Sequence, residues 1–130
     1  MASILRVNTL TDASSNNSVA MATVAEGSAK HWIRHSNGSS VTDSFNNTSL
    51  TDSGTGTYIA VISSAFSNAN YCVALVAGGT DAAGGNATFE SLETLTTNNV
   101  GHNVRDGTTG TNAGRQDSTQ VCVSCLGDLA

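Results

Sequence analysis

The chain has 130 residues, a length that suits one domain. Hydrophobic residues make up 38% of it, aromatic residues 5% and charged residues 12%, so any core must be thin and the surface polar rather than charged. Ser, Thr and Asn together account for 47 residues. Thr favours strands while Asn and Ser favour turns. The composition therefore predicts an all-β protein rather than a disordered chain, which would carry more charge and proline.

The charge distribution argues against nucleic acid and membrane as partners. The formal net charge is −5, Lys30 is the only lysine and the four arginines are scattered. There is no basic patch, no polybasic anchor and no apolar run that approaches a membrane span. The first residues also lack the long apolar stretch of a secretory signal, which predicts assembly in a cytoplasm.

Residues 1–28 are predicted to form an N-terminal arm. Residues 3–10 alternate loosely as one short strand, a polar cluster follows, and residues 19–25 are too short and too β-branched to form a stable helix alone. This segment has too little apolar surface to fold by itself, so we expect it to dock on a partner or on sister subunits. The attachment residues would be the larger apolar side chains, Ile4, Leu5, Val7 and Leu10.

Residues 29–130 are predicted to form a small antiparallel β-sandwich of about six or seven strands, from which the arm extends. Short β-rich segments alternate with turn signals, among them Asn37-Gly38. Residues 50–56 are turn-rich, and residues 87–95 fit either a strand or a short helix. The other predicted strands cover residues 30–35, 41–46, 57–63, 71–77, 98–105 and 119–126.

The bulky apolar residues of this body are assigned to the core or to a subunit interface. They are Trp32, Ile33, Phe45 and Tyr58. A sugar-stacking role for Trp32 stays open as an alternative. Two loops rich in Gly, Thr and Asn, at residues 78–86 and 106–117, are predicted to be exposed.

The cysteines and histidines are the candidates for metal or redox chemistry. The three cysteines, Cys72, Cys122 and Cys125, predict small buried side chains rather than a disulfide framework. Cys122 and Cys125 have CxxC spacing, but on a strand their thiols would face opposite sides. His31 and His35 would share one face of a strand. We expect them at the surface or an interface, with ion binding at a symmetry axis of an oligomer as the alternative.

No set of residues predicts catalysis. The chain has no Gly-x-Ser-x-Gly motif, and no serine, histidine and acid form a recognisable set. Most acidic residues fall in turn segments, where Asp commonly caps its own backbone, so no carboxylate pair for glycoside hydrolysis is predicted. We therefore predict a protein that is not an enzyme, without catalytic residues, cofactor or metal.

Several segments resemble short tail-fibre and virion structural proteins of tailed bacteriophages of marine and cyanobacterial hosts. The most specific is DSFNNTSLTDSGTGTY at residues 43–58, preceded by Ala29-Lys30-x-Trp32. The opening ASILRVNTLTD at residues 2–12, FSNANYCV at residues 66–73 and the closing VCV at residues 121–123 are also similar. The chain departs from the family around Trp32, where residues 31 and 33–36 differ and no aromatic residue stands for the family's Phe.

The resemblance implies a virion component assembled in the host cytoplasm, a homotrimer joined to other virion proteins through its arm. As a tail-fibre or tail-tip protein it would touch a host-surface glycan or protein through the two loops. The candidate contact residues are Asp81, Asn86, Asp106, Thr109, Asn112 and Arg115. A capsid decoration protein is the first alternative, and a small depolymerase of envelope polysaccharide is the second.

Overall fold

The protein is described by a computed structural model that covers residues 6–14, 17–36, 38–78, 88–106 and 114–130. Within these ranges it forms ten strands and one short helix. The arm contributes β1 (Thr9–Thr11), β2 (Ser18–Ala20) and α1 (Met21–Gly27). The body contributes β3 (Ala29–His35), β4 (Val41–Phe45), β5 (Asn47–Gly54), β6 (Thr57–Ile62), β7 (Cys72–Gly78), β8 (Thr88–Leu95), β9 (Asn99–Asp106) and β10 (Gln120–Leu126).

The body strands form two antiparallel four-stranded sheets. The first sheet has the order β4-β3-β10-β7 and the second has the order β5-β6-β9-β8. Side chains from both sheets make one apolar core, to which Ile33, Val121 and Val123 contribute from the first sheet and Tyr58 and Val100 from the second. The predicted all-β sandwich is confirmed. It has eight body strands rather than six or seven.

The extra strand comes from residues predicted to be turn-rich. Residues 50–56 were expected to be turns because Thr, Asp, Ser and Gly dominate them, but residues 47–54 form β5. Leu50 is the buried residue of this strand, and the rest of its sequence is polar. An edge strand needs only one such anchor when its neighbour β6 supplies the apolar face. Residues 87–95 were expected to form either a strand or a short helix, and Thr88–Leu95 form strand β8.

Alternation of side chains explains which face of the first sheet is buried. In β10, Val121, Val123 and Cys125 point into the core, while Cys122 between them is exposed. In β7, Val73 and Leu75 are half-buried while Cys72, Ala74 and Val76 are exposed. Both patterns follow the two-residue period of a strand, as the sequence predicts. Cys122 and Cys125 consequently lie on opposite faces of the sheet.

Asn46 makes the corner at which the chain crosses from the first sheet to the second. Its φ of 56° is in the left-handed region, which Asn tolerates better than most residues. Its Nδ2 donates to the carbonyl oxygens of Lys30 (2.9 Å) and Ser64 (3.0 Å). Its Oδ1 accepts from the Ser64 amide at 2.7 Å. One side chain therefore joins β3 to the segment that follows β6.

Gly56 lies where three backbone segments meet. Its φ is 62°, and a Cβ there would lie 2.5 Å from the Val104 carbonyl oxygen and 2.6 Å from that of Gln116. The Gly56 carbonyl accepts the Val104 amide at 2.8 Å, and its amide donates to Asp117 Oδ1 at 2.8 Å. Any side chain at this position would push apart the turn after β5, strand β9 and the segment before β10.

The described part of the arm is exposed. Residues of β1 and β2 pair as a small antiparallel hairpin, and every one of them is exposed. Helix α1 has no buried residue, no capping side chain and no acidic residue in its first turn. The arm is thus not continuously extended, since residues 18–27 form a strand followed by a helix. No helix in the described ranges is long and apolar enough to span a membrane.

We predict that Gly56→Ala will lower the free energy of unfolding by about 3 kcal/mol, because it combines left-handed strain with overlap against rigid backbone. The matched control is Gly78→Ala, where φ is ordinary and nothing lies within 4 Å of the added Cβ. Urea denaturation of both variants measures the difference. Equal stabilities would show that the close approach at Gly56 is not required.

A second prediction separates the conformation of Asn46 from its hydrogen bonds. Asn46→Gly keeps the left-handed backbone and loses the side-chain bonds, so we expect a loss of about 2 kcal/mol. Asn46→Ala loses both and should cost about 1 kcal/mol more. Thermal and urea unfolding of the two variants report each contribution. If Asn46→Gly and Asn46→Ala lower the free energy of unfolding equally, the corner does not depend on a left-handed backbone at residue 46.

Candidate functional site

The four bulky residues assigned to core or interface are divided between two places. Ile33 and Tyr58 are fully buried between the sheets. Trp32 and Phe45 stand opposite each other on β3 and β4, with Trp32 half-buried and Phe45 53% exposed. Alternation along β3 requires this split, because neighbouring residues point to opposite faces. Trp32 and Phe45 are therefore surface residues of the protomer.

A shallow apolar groove runs across the outer face of the first sheet. We use the name outer face for the exposed side of strands β3, β10 and β7 together with Phe45. The groove has a volume of about 330 Å³. Val76, at its edge, is 66% exposed. The side chains that line it on this side are Trp32, Arg34, Ala74, Val76, Cys122 and Ser124.

Two of the three cysteines are also on this face. Cys72 and Cys122 are exposed, so the expectation of burial is wrong for them and correct only for Cys125. Each occupies an outward position of β7 or β10, which the alternation of those strands dictates. In register, Cys122 pairs with Val76 and Cys72 pairs with Leu126, so the two exposed thiols lie four residues apart along the sheet. They do not form a disulfide with one another.

The histidines are buried between the sheets, so the expectation of surface or interface positions is wrong. His31 is 0% and His35 1% exposed, and with Ile33 they form the inward row of β3. Buried inside the protomer, these imidazoles are not available to meet those of other copies at a symmetry axis. Hydrogen bonds compensate for their burial, since each ring nitrogen of His31 and His35 has a partner.

His35 pairs with His102 across the core. Their Nε2 atoms are 3.0 Å apart, and the His35 Nδ1 lies 3.0 Å from the Ser36 carbonyl oxygen. A carbonyl only accepts, so Nδ1 of His35 carries a proton and one proton is shared between the two Nε2 atoms. The remaining nitrogen, His102 Nδ1, is buried without a hydrogen-bond partner. Tyr58 packs edge-on against His35, with ring centroids 4.7 Å apart.

A further proton would have to reside on the buried Nδ1 of His102. The Val100 backbone favours the protonated ring, but desolvation by burial outweighs this effect. Burial, together with the neighbouring His35, lowers the pKa of His102 to about 4. Burial also lowers the pKa values of His35 and His31. All three imidazoles are therefore neutral in the folded protein near neutral pH.

His31 joins Cys125 and Asn47 in a group that the sequence did not suggest. Its Nε2 donates to Asn47 Oδ1 at 3.2 Å, and its Nδ1 lies 3.6 Å from Cys125 Sγ. Cysteine, histidine and asparagine are the residue types of a cysteine-protease triad. Here, however, Cys125 is fully buried and burial raises the pKa of its thiol to about 12. The thiol is protonated and donates to His31, which favours a structural role.

Asp117, in the segment before β10, forms a further polar link to the second sheet. Its Oδ1 accepts from the Tyr58 hydroxyl at 2.9 Å and from the Gly56 amide at 2.8 Å. Burial and the adjacent carboxylate both raise the pKa of Tyr58 well above its usual value. Neither Asp117 nor its partners were singled out together from the sequence, because 59 residues separate Tyr58 from Asp117.

The two predicted contact loops fall mostly outside the described residues. Asp81, Asn86, Thr109 and Asn112 lie in ranges that the structure does not describe, and Asp106 is the last residue of β9. Arg115 is exposed and donates from Nη2 to Glu93 Oε1 at 3.0 Å, an ion pair at the end of β8. Of the loop residues, the structure thus shows the side chain of Arg115.

The arm residues are placed in part. Ile4 and Leu5 lie outside the described residues. Val7 is 37% and Leu10 43% exposed, and Leu10 pairs in register with Val19, which is also exposed. Leu10 and Val19 give the hairpin an apolar surface that the rest of the described protomer does not cover.

No metal centre is evident in the described ranges, where no three His, Cys, Asp or Glu side chains cluster closely enough to hold an ion. Comparison with protein-family models, with curated proteins and with solved structures finds no match to the chain. The outer face of the first sheet and the exposed arm are therefore the surfaces on which a function is best argued.

Because the three buried histidines are neutral in the folded protein, we predict that acid destabilises the fold. A histidine in the unfolded chain takes up a proton below its ordinary pKa of 6.5, whereas folded His102 resists until about 4. The contribution of His102 to the free energy of unfolding is therefore fully present above pH 6.5, and it is lost as the pH falls from 6.5 towards 4. We expect His102 alone to contribute a loss of about 2 kcal/mol between pH values of about 7.5 and 5.

The measurement is urea unfolding at the two pH values. His102→Gln should be less stable at both, yet should lose about 2 kcal/mol less than the parent on acidification. Val100→Ala, from the same strand and also in the core, is the control and should keep the full pH dependence. If His102→Gln shows the parental pH dependence, the histidine pair is not the acid-sensitive element.

Proposed function

We propose that the chain is a non-enzymatic virion structural protein of a tailed bacteriophage. In this proposal it is a homotrimeric tail-fibre or tail-tip appendage, assembled in the host cytoplasm. The arm of residues 1–28 joins it to other virion proteins, and the loops at residues 78–86 and 106–117 contact the host surface. No cofactor, nucleic acid or membrane takes part.

The observation that carries the proposal is the resemblance of residues 43–58 to that class of protein. This block occupies the end of β4, the whole of β5 and the start of β6. It includes Asn46, which makes the corner between the sheets, and Gly56, against which β9 and the segment before β10 pack. The similar residues are thus those that the sandwich needs at two backbone positions, which supports a shared fold.

Two features of the structure agree with an assembled structural protein. The buried polar groups of the core are tied to one another, as in the pairs His35–His102 and His31–Cys125, rather than directed at a cleft. The arm, in contrast, exposes apolar side chains that its own protomer leaves uncovered. A capsid decoration protein would share both features, so the position on the particle is what distinguishes the two assignments.

The first test is antibody labelling of purified particles, viewed by electron microscopy. Label at the tail tip or fibres supports the appendage, and label over the head supports the decoration protein instead. Particles that contain no copy of the chain, by labelling and by mass spectrometry, would rule out both.

Loop substitutions test host contact. Alanine at Asp81, Asn86, Thr109 and Asn112 together should lower the adsorption of particles to host cells by roughly ten-fold, as expected when several contact residues are lost. The control replaces three exposed polar residues of β5, Thr48, Ser49 and Ser53, by alanine and should adsorb normally. Normal adsorption of the loop variant, with the variant protein present on the particle, would contradict the role of these loops.

A further inference from the structure

Two apolar surfaces of the chain, one on the body and one on the arm, are left uncovered by the described protomer. We infer that the outer face of the first sheet binds the N-terminal arm of a second copy of this chain. This inference deepens the proposed function, on which it rests for the idea of a homo-oligomer, by naming the surface through which copies associate.

The outer face has the character of a contact surface. Its groove is lined almost entirely by apolar atoms of Trp32, Ala74, Val76 and Cys122, and Phe45 extends the apolar surface across β4. Val76 and Phe45 are more than half exposed. Tryptophan, phenylalanine and arginine are enriched where proteins meet, and here Arg34 borders Trp32. Isolated apolar residues on a surface need no explanation, but a groove whose apolar atoms come from three neighbouring strands, with Phe45 beside it on the fourth, does.

The arm presents a complementary surface. Leu10 and Val19 are paired in the hairpin, and Val24 lies on α1 just beyond it. All three are exposed, at 43%, 36% and 36%. A hairpin of two three-residue strands and a seven-residue helix are each too short to be stable without tertiary packing. The arm therefore needs a surface to pack against.

That surface belongs to another copy rather than to the same protomer. Ser28 is the single residue between α1 and β3, and its amide donates to the Val24 carbonyl at 3.1 Å. Its hydroxyl donates to the Ala25 carbonyl and accepts from Lys30 Nζ. These bonds close the end of α1 and join Ser28 to the beginning of β3. To fold back over its own sheet, the arm would have to reverse its direction at the one residue between α1 and β3.

The charges favour binding of an arm to the outer face over packing of two outer faces against each other. The outward row of β3 consists of Lys30, Trp32 and Arg34, and Asp43 of β4 is opposite Arg34 in register. Lys30 has no such carboxylate in the register of β3 with β4, so two copies joined face to face would each bring this ammonium group to the contact. The arm instead contributes Glu26, exposed on α1 close in sequence to Val24. Opposite charges at the edge of an apolar contact fix its register.

The size of the contact also favours the use of both the outer face and the arm. Four strands spaced about 4.8 Å apart, each about seven residues long, make a patch of roughly 400 Å² in projection. A standard interface buries about 800 Å² of accessible surface on each partner, and a contact that uses the arm as well as the outer face brings each protomer closer to that size. In a closed ring each copy uses its face toward one neighbour and its arm toward the other. The contact area of each protomer then approximately doubles, and a trimer is one such ring.

The test uses three full-length variants and light scattering after size exclusion, with circular dichroism to confirm folding. The face variant is Val76→Lys and the arm variant is Leu10→Ser with Val19→Ser. The control is Leu92→Lys, which places the same charge at an exposed leucine of the second sheet. The parent and the control should be oligomers. The face and arm variants should each associate at least roughly ten-fold more weakly.

Mixing the variants gives the decisive result. The arm variant keeps an intact face and the face variant keeps an intact arm, so an equal mixture should form a dimer of one copy of each, weaker than the parental oligomer because it has one arm–face contact, at concentrations where either variant alone stays monomeric. No association in the mixture, or an arm variant that assembles like the parent, would overturn arm-on-face binding and favour face-to-face packing or another partner. A monomeric parent would overturn the inference outright.

A second measurement does not depend on the variants folding well. Cys122 lies in the groove and is exposed in the protomer, while Cys125 is buried. Alkylation of Cys122 in the parent, followed by peptide mass spectrometry, should slow as the protein concentration rises. A rate that is independent of concentration would contradict coverage of the groove by another copy. Particle labelling tests the virion assignment separately, because its result does not depend on which surface joins the copies.

Discussion

The close approach of three backbone segments at Gly56 is the constraint on which the arrangement of the sheets depends. The turn between β5 and β6, strand β9 and the segment before β10 come within hydrogen-bonding distance of this residue. Because no side chain is present, Val104 and Gln116 can approach it directly. Asp117 then reaches the Gly56 amide and the Tyr58 hydroxyl with one oxygen. This contact sets where β10 enters the first sheet, and β10 in turn lies between β3 and β7.

The buried polar groups also restrict how the two sheets can pack against each other. The core is small, and the buried residues include His31, His35 and His102 beside the aliphatic ones. Apolar contacts tolerate small shifts in register, whereas a buried imidazole is satisfied only when its partner stands at the correct distance. The His35–His102 contact fixes β3 against β9, and the His31–Cys125 contact fixes β3 against β10. A chain with few large apolar residues can thus specify one packing of its two sheets.

Much of the fold could be predicted from the sequence, because strand positions are a local property. Dense β-branched segments such as residues 57–63 and 119–126 are strands within a residue or so of the prediction. Strand β5 was missed because its Thr, Ser, Asp and Gly content is the same as that of a turn, and Leu50 alone marks it as buried. The histidine pair joins residues 67 positions apart, and the Cys125–His31 contact spans 94. No spacing rule reaches that far, so the partners of the histidines could not be foreseen, although alternation with Ile33 could have indicated that His31 and His35 face the core.

The edges of the sheets connect these packing rules to association. The chain has a single lysine, which lies on the inner strand β3, so the charged residues of its edge strands β4, β5 and β8 are acidic, among them Asp43, Asp52 and Glu93. Bulges also distort these edges: β4 and β8 each carry one extra residue and β5 carries two in the pairing with the inner neighbour, while one further bulge lies in the inner pair of β3 and β10. Edge strand β7 pairs with β10 without any shift of register and also carries the most exposed apolar side chain of the outer face, Val76. The edges β4, β5 and β8 thus carry both a charged residue and a bulge, whereas β7 has no charged residue and pairs regularly with β10. An arm that arrives over the outer face from the β7 side would cover the groove and Val76 together, which is the apolar surface that this uncharged strand presents.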